Sequence, residues 1–156
     1  MSDLAPVPLR VMLTNGKTWL VESLWARWFL SLLERINAVP VIQASVSLTA
    51  QGAAVATTDF DASIEGGLYR VTYALNVTQA ATTSSSFTTT IGWTTNGVSC
   101  SSVGAAVTGN TTATHQGGTV VLNADADTMV TYAVSYTSVG ATSAQYSFAL
   151  ALESVG

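Results

Sequence analysis

The chain has 156 residues, 48% of them hydrophobic and only 9% charged, with a formal net charge of -4. That length holds one domain of ordinary size plus an appendage, and so few charges suit a rigid protein in a stable assembly better than a freely diffusing enzyme. Four of the five basic residues (Arg10, Lys17, Arg27, Arg35) precede residue 40 without clustering, which excludes a nucleic-acid footprint, and the lone Cys100 excludes an intrachain disulfide or a Cys-based zinc site.

Residues Met1–Lys17 carry Pro6, Pro8 and the Asn15-Gly16 turn signal and read as an extended arm, with a short strand at Leu9–Leu13. An arm of this kind either wanders or lies along a partner's surface; in the second case Pro6, Pro8, Leu9, Val11 and Leu13 are the expected attachment residues. A charged n-region followed by a clean apolar run is not found here, so no secretory signal is expected.

From Trp19 to Asn37 the spacing predicts an amphipathic helix, with Thr18 as N-cap and Pro40 barring its continuation. At about 100° per residue, Val21, Leu24, Trp25, Trp28, Phe29, Leu32 and Ile36 share one arc, and Leu20, Leu30 and Leu33 widen it. Ser23, Arg27, Ser31 and Glu34 take the opposite side. An aromatic side chain buries on the order of 150–250 Å², so this face needs a cover, and other copies of the chain are the expected one. Glu22, Arg27, Glu34 and Arg35 interrupt the helix, so it does not span a bilayer, and its balanced polar face argues against an interfacial membrane helix.

After Pro40 the period becomes twofold. Ile42, Ala44, Val46 and Leu48 alternate with polar residues, as do Tyr69, Val71, Tyr73, Leu75 and Val77 after the Gly66-Gly67 turn. Phe87, Thr89, Ile91 and Trp93 mark a third strand. Further strands are expected at Val98–Ser102, Ala105–Thr108, Thr119–Asn123, Met129–Thr137 and Gln145–Glu153. Seven or eight short strands punctuated by Gly, Asn, Ser and Thr argue for an antiparallel sandwich, most simply a jelly roll, with an immunoglobulin-like sandwich as the alternative. The fold class expected is therefore mainly β, with one N-terminal helix. The expected division is an arm and helix over residues 1–39 and a sandwich over 40–156.

Little in the chain points to catalysis. His115, the single histidine, is expected in a polar loop, no G-x-S-x-G elbow accompanies it, and Cys100 has no basic neighbour to lower its pKa. Asp59/Asp61 and Asp125/Asp127 would each point two carboxylates to one side of an extended segment, the arrangement that holds Ca²⁺ or serves glycoside hydrolysis, yet Asp is also an ordinary turn residue. Asn76-Val-Thr78 and Asn110-Thr-Thr112 match the short glycosylation pattern by chance. No cofactor, metal or catalytic residue is expected.

Three stretches, GLYRVTYALNVTQAATTSSSFTTTIGWT (Gly67–Thr94), GAAVTGNTTAT (Gly104–Thr114) and NADADTMVTYAVSYTSVGATSAQY (Asn123–Tyr146), resemble a domain of small tailed-bacteriophage virion proteins and the trimeric jelly-roll knobs of the tumour-necrosis-factor-like type. WARWFLSLLERI (Trp25–Ile36) is similar to the Trp-rich helices that precede such knobs. The resemblance covers about two-thirds of the chain and implies a homotrimer with a helical stalk. It further implies a non-enzymatic capsid decoration (cement) protein or head fibre on the outside of a phage particle, made in the host cytoplasm and bound to the major capsid protein or another virion component. The alternative it leaves is a tail fibre or adaptor whose knob binds a host glycan or receptor.

Overall fold

The computed structural model describes residues 25–33, 40–60 and 63–155. The chain divides into two compact units, Met1–Pro40 and Val41–Gly156. In the first, residues 25–33 are helical, within the stretch whose apolar period is that of a helix. The expected N-cap Thr18 and the helix end near Asn37 lie outside the described residues.

The second unit is built from eight strands: β1 (Val41–Gln51), β2 (Val55–Asp59), β3 (Gly67–Gln79), β4 (Ser84–Thr95), β5 (Val98–Val103), β6 (His115–Ala124), β7 (Thr131–Val139) and β8 (Gln145–Ser154). One sheet runs β1-β8-β3-β6 and the other β2-β7-β4-β5, with every pairing antiparallel. Pairing first with eighth, second with seventh, third with sixth and fourth with fifth is a long hairpin rolled over on itself. This is the jelly roll, and the strand order excludes the immunoglobulin alternative.

Alternation places the core between the sheets. Val71, Leu75 and Val77 of β3, Phe87 and Ile91 of β4, Val134 of β7, and Tyr146, Phe148 and Leu152 of β8 are buried, joined from the loops by Phe60, Ile64 and Val130. Aromatic rings knit the two layers: Phe87 meets Tyr146 edge-on with centroids 5.1 Å apart, and Tyr132 meets Phe148 at 6.2 Å. Tyr146 donates to the Ala53 carbonyl at 2.9 Å, and burial, with the neighbouring Tyr136 second, pushes its pKa up to about 12.

Four local expectations are corrected. β2 was not among the expected strands; after Val55 its residues are Ala, Thr, Thr and Asp, all exposed, so a sheet edge leaves no alternation to read. Ala105–Thr108 is not a strand, and only Val107 bridges to Phe87. Ile42 does not join the core: a register shift between Ile42 and Ala44 inserts one residue, pairs Ile42 with the outward Glu153 and leaves it 62% exposed. His115 is not in a loop but opens β6, paired with Asn76.

Candidate functional site

Helix residues Trp25, Trp28 and Phe29 lie within one turn of each other, so their rings pack together: Trp28 and Phe29 have centroids 5.0 Å apart, Trp25 and Trp28 5.7 Å. Trp25, Trp28 and Leu32 are half-buried, whereas Phe29, Leu30 and Leu33 are 53%, 59% and 53% exposed. Over these nine described residues the helix therefore carries a dense apolar surface open to solvent. Of the seven residues expected to assemble the chain, Trp25, Trp28, Phe29 and Leu32 are described; Val21, Leu24 and Ile36 lie outside the described residues, as do the arm residues Pro6, Pro8, Leu9, Val11 and Leu13. No described helix is long and apolar enough to cross a membrane.

The sandwich segregates its charges. At the end where β1 and β3 begin and β6 and β8 finish lie Asp59, Glu65, Asp125, Asp127 and Glu153. There the Phe60 amide extends the β2–β7 pairing by donating to the Val130 carbonyl at 2.9 Å, and the loops are tied to one another by the Asp125 amide donating to Thr94 at 2.9 Å and the Asp127 amide to Ile64 at 3.0 Å. The opposite end is formed by residues 52–54, 80–83, 107–114 and 140–144, which include no Asp, Glu, Lys or Arg. Its loops hold one another through small polar groups. The Thr82 amide donates to the Thr142 carbonyl, the Ala81 amide to Gly109, Asn110 Nδ2 to Thr83, and the Gly109 amide to Ser85 Oγ. This end is therefore a neutral surface of hydroxyl, amide and methyl groups.

Small residues also fill the middle of both outer sheet faces. On β1-β8-β3-β6, Ser45, Ser47, Thr72, Ala74, Ala149 and Ala151 line a shallow trough. Beside it the Arg70 guanidinium donates to Glu153 Oε2 at 2.8 Å, which neutralises both charges within the chain. On the other sheet the outward residues of β4 and β7 are Ser86, Thr88, Thr90, Gly92, Thr131, Ala133, Ser135 and Thr137.

The residues weighed for chemistry separate. Asp125 is not half of an open carboxylate pair: its two oxygens accept the Asn96 and Gly97 amides at 2.9 and 2.8 Å. It thereby closes the β4–β5 turn, whose two central residues both have positive φ, 52° and 72°. Asp127 sits at φ 58°, so the Asp125–Asp127 segment is not extended. Asp59 ends β2, and Asp61 lies outside the described residues. No three His, Cys, Asp or Glu among the described residues converge on a metal position. His115 lies on the exposed face of one sheet, while Cys100 pairs with Trp93 on β5 of the other, so they form no dyad. Asn76 is exposed, but the Asn110 amide is held by Thr83 and Ser85.

Sequence reasoning missed the exposed Ile42, Leu68 and Val121. Leu68 shares the parity of Arg70 and could have been read as outward; the unbroken run Val120-Val121-Leu122 carries no alternation.

No family model matches the chain, and no curated protein matches it. Among solved structures it is similar to a chain of the infectious bursal disease virus (Gt strain) structure, with 17% identity and a TM-score of 0.42. The match covers 74% of this chain and 33% of that one, so this chain spans about a third of its length. The jelly-roll assignment rests on strand order, not on this likeness.

Proposed function

We propose that the protein is a non-enzymatic structural component of a tailed-phage virion, a homotrimeric decoration protein or head fibre on the outer capsid surface. Residues Met1–Val39 make the attachment and the trimer contact, and the jelly roll projects as the knob. The observation that carries this reading is the aromatic helix. Phe29, Leu30 and Leu33 are more than half exposed on an element that also bears the Trp25–Trp28–Phe29 cluster. Covering about 300 Å² of such surface per protomer contributes about 7 kcal/mol. That is of the same order as the roughly 4–15 kcal/mol that association costs, so the helix supplies the larger part of the offset and the arm's many weak contacts, repeated over a capsid, complete the attachment.

The variant Trp28→Ser with Leu32→Ser tests the helix. A folded but monomeric protein supports the reading, and a double variant that stays trimeric refutes it. Removing residues 1–17 is expected to spare the trimer and abolish binding to capsids purified without the protein. The neutral, loop-knitted far end of the sandwich favours a second reading, a tail fibre or adaptor whose knob touches an uncharged host glycan. Copy number per particle separates the two: hundreds for a decoration, a few tens at most for a fibre.

A further inference from the structure

Four strands lie at sheet edges: β1 and β6 in one sheet, β2 and β5 in the other. An open edge is a template for a further strand, and proteins commonly blunt it by shortness, bulges, proline or charge. Three of the four are blunted. β2 has five residues and a register shift, β5 has six residues, and β1 shifts register twice. β6 is different. Its ten residues pair with β3 at ten consecutive positions without a shift. Its sequence, HQGGTVVLNA, has no Pro, Lys, Arg, Asp or Glu.

An antiparallel edge turns the N–H and C=O of every second residue away from its one neighbour, about five residues' worth over this length. Among the described residues, no main-chain bond other than the β3 ladder engages residues 115–124. Val121, on the outward side of this strand, is 61% exposed.

We propose that β6 pairs antiparallel with β6 of a second copy about a two-fold axis, joining two four-stranded sheets into one continuous sheet. A second copy is the occupant that the chemistry favours. An uncharged strand meets its twin with no like-charge penalty and offers a charged peptide no counter-charge. A two-fold makes the ladder antiparallel and in phase at every position, and it sets Val121 among the outward Thr119, Val121 and Asn123 side chains of the second copy's strand. Ten residues at about 3.4 Å each give a contact about 34 Å long and one strand wide, which falls short of the roughly 1,200 Å² of a stable interface. The contact is therefore weak between free copies and effective where copies are already concentrated. It does not depend on the helix or on the virion reading.

Single cysteines at Thr119, Val121 and Asn123, each in the full chain with Cys100→Ser, test the pairing. Directly opposed residues in an antiparallel pair lie about 4.5–5.5 Å apart at Cα, within disulfide reach. Mild oxidation is expected to give a covalent dimer whose yield peaks at one of these positions and falls at the next outward residue. Val98→Cys and Val103→Cys, on the equally exposed β5 edge, are expected to give little. Thr119→Lys with Val121→Lys, both outward and exposed, is expected to keep the fold by circular dichroism. It should weaken concentration-dependent association, read by sedimentation equilibrium, about tenfold. Equal yields on β5 and β6, no dimer at any β6 position, or association unchanged in the double-lysine variant would overturn the proposal. Repeating the oxidation with Trp28→Ser and Leu32→Ser separates it from the trimer reading: the β6 pattern is expected to persist whether or not the helix assembles the chain, and its loss there refutes the pairing.

Discussion

Replacing Asp125 by Ala decides between a carboxylate that closes a hairpin and one that holds a cation. In the wild type each oxygen accepts one amide of the Asn96-Gly97 turn, at 2.9 and 2.8 Å. Hydrogen bonds to a charged acceptor are worth about 1.5–3 kcal/mol each, but these amides are at the surface and regain water when the carboxylate is removed. A total loss of about 1–2 kcal/mol follows on that scale. The backbone tie from the Asp125 amide to the Thr94 carbonyl survives the substitution, so the loop keeps its path. For a chain of this size that energy lowers the melting temperature by about 3–6 °C. Asp125→Asn, which retains one oxygen acceptor, is expected to lose about half as much. Scanning calorimetry with millimolar Ca²⁺ or with chelator distinguishes the two roles. The clamp predicts the same loss in both buffers and a wild type indifferent to chelator. A wild type that drops to the variant's melting temperature when chelator is added would refute the clamp and restore the metal.

Thr89→Val is expected to raise stability by about 1 kcal/mol, because Thr89 is 1% exposed and its buried hydroxyl finds no partner among the described residues; denaturant titration checks it, and a loss of stability would show that the hydroxyl is bonded. Gly109→Ala is expected to cost about 1–3 kcal/mol, since a β-carbon there meets the buried Phe87 ring and Ser85 Oγ. The raised Tyr146 pKa contributes to loss of stability in alkali. The folded state holds a proton that the unfolded state releases near pH 10, so this contribution is complete below about pH 10 and is lost as pH rises toward about 12. Melting curves across that window should fall more steeply for the wild type than for Tyr146→Phe.

The central strands were legible because both faces impose themselves on the residues: Tyr69 to Val77 and Tyr146 to Leu152 alternate without interruption, and all the inward members but the half-buried Tyr73 are buried. Edges were not. β2 presents Thr and Asp to solvent, and the bulge that turns Ile42 outward is set by its pairing with β8, more than a hundred residues away. The choice between jelly roll and immunoglobulin sandwich likewise depends on which distant strands pair, which no local pattern records. At the candidate site the helix announced itself through spacing, while the neutral β6 edge emerged only once β6 stood at the margin of a sheet. The role of Asp125 was hidden for the same reason, since the turn it closes lies 28 residues earlier in the chain.

The measurement that bears most directly on the proposed trimer and on the helix's part in it is the mass of the full chain in dilute buffer, by sedimentation or light scattering. One protomer is 16.1 kDa. Assembly through the aromatic helix predicts a species three times that mass, reduced to 16.1 kDa by Trp28→Ser with Leu32→Ser. A stable 16.1 kDa protomer in the unaltered protein would contradict it.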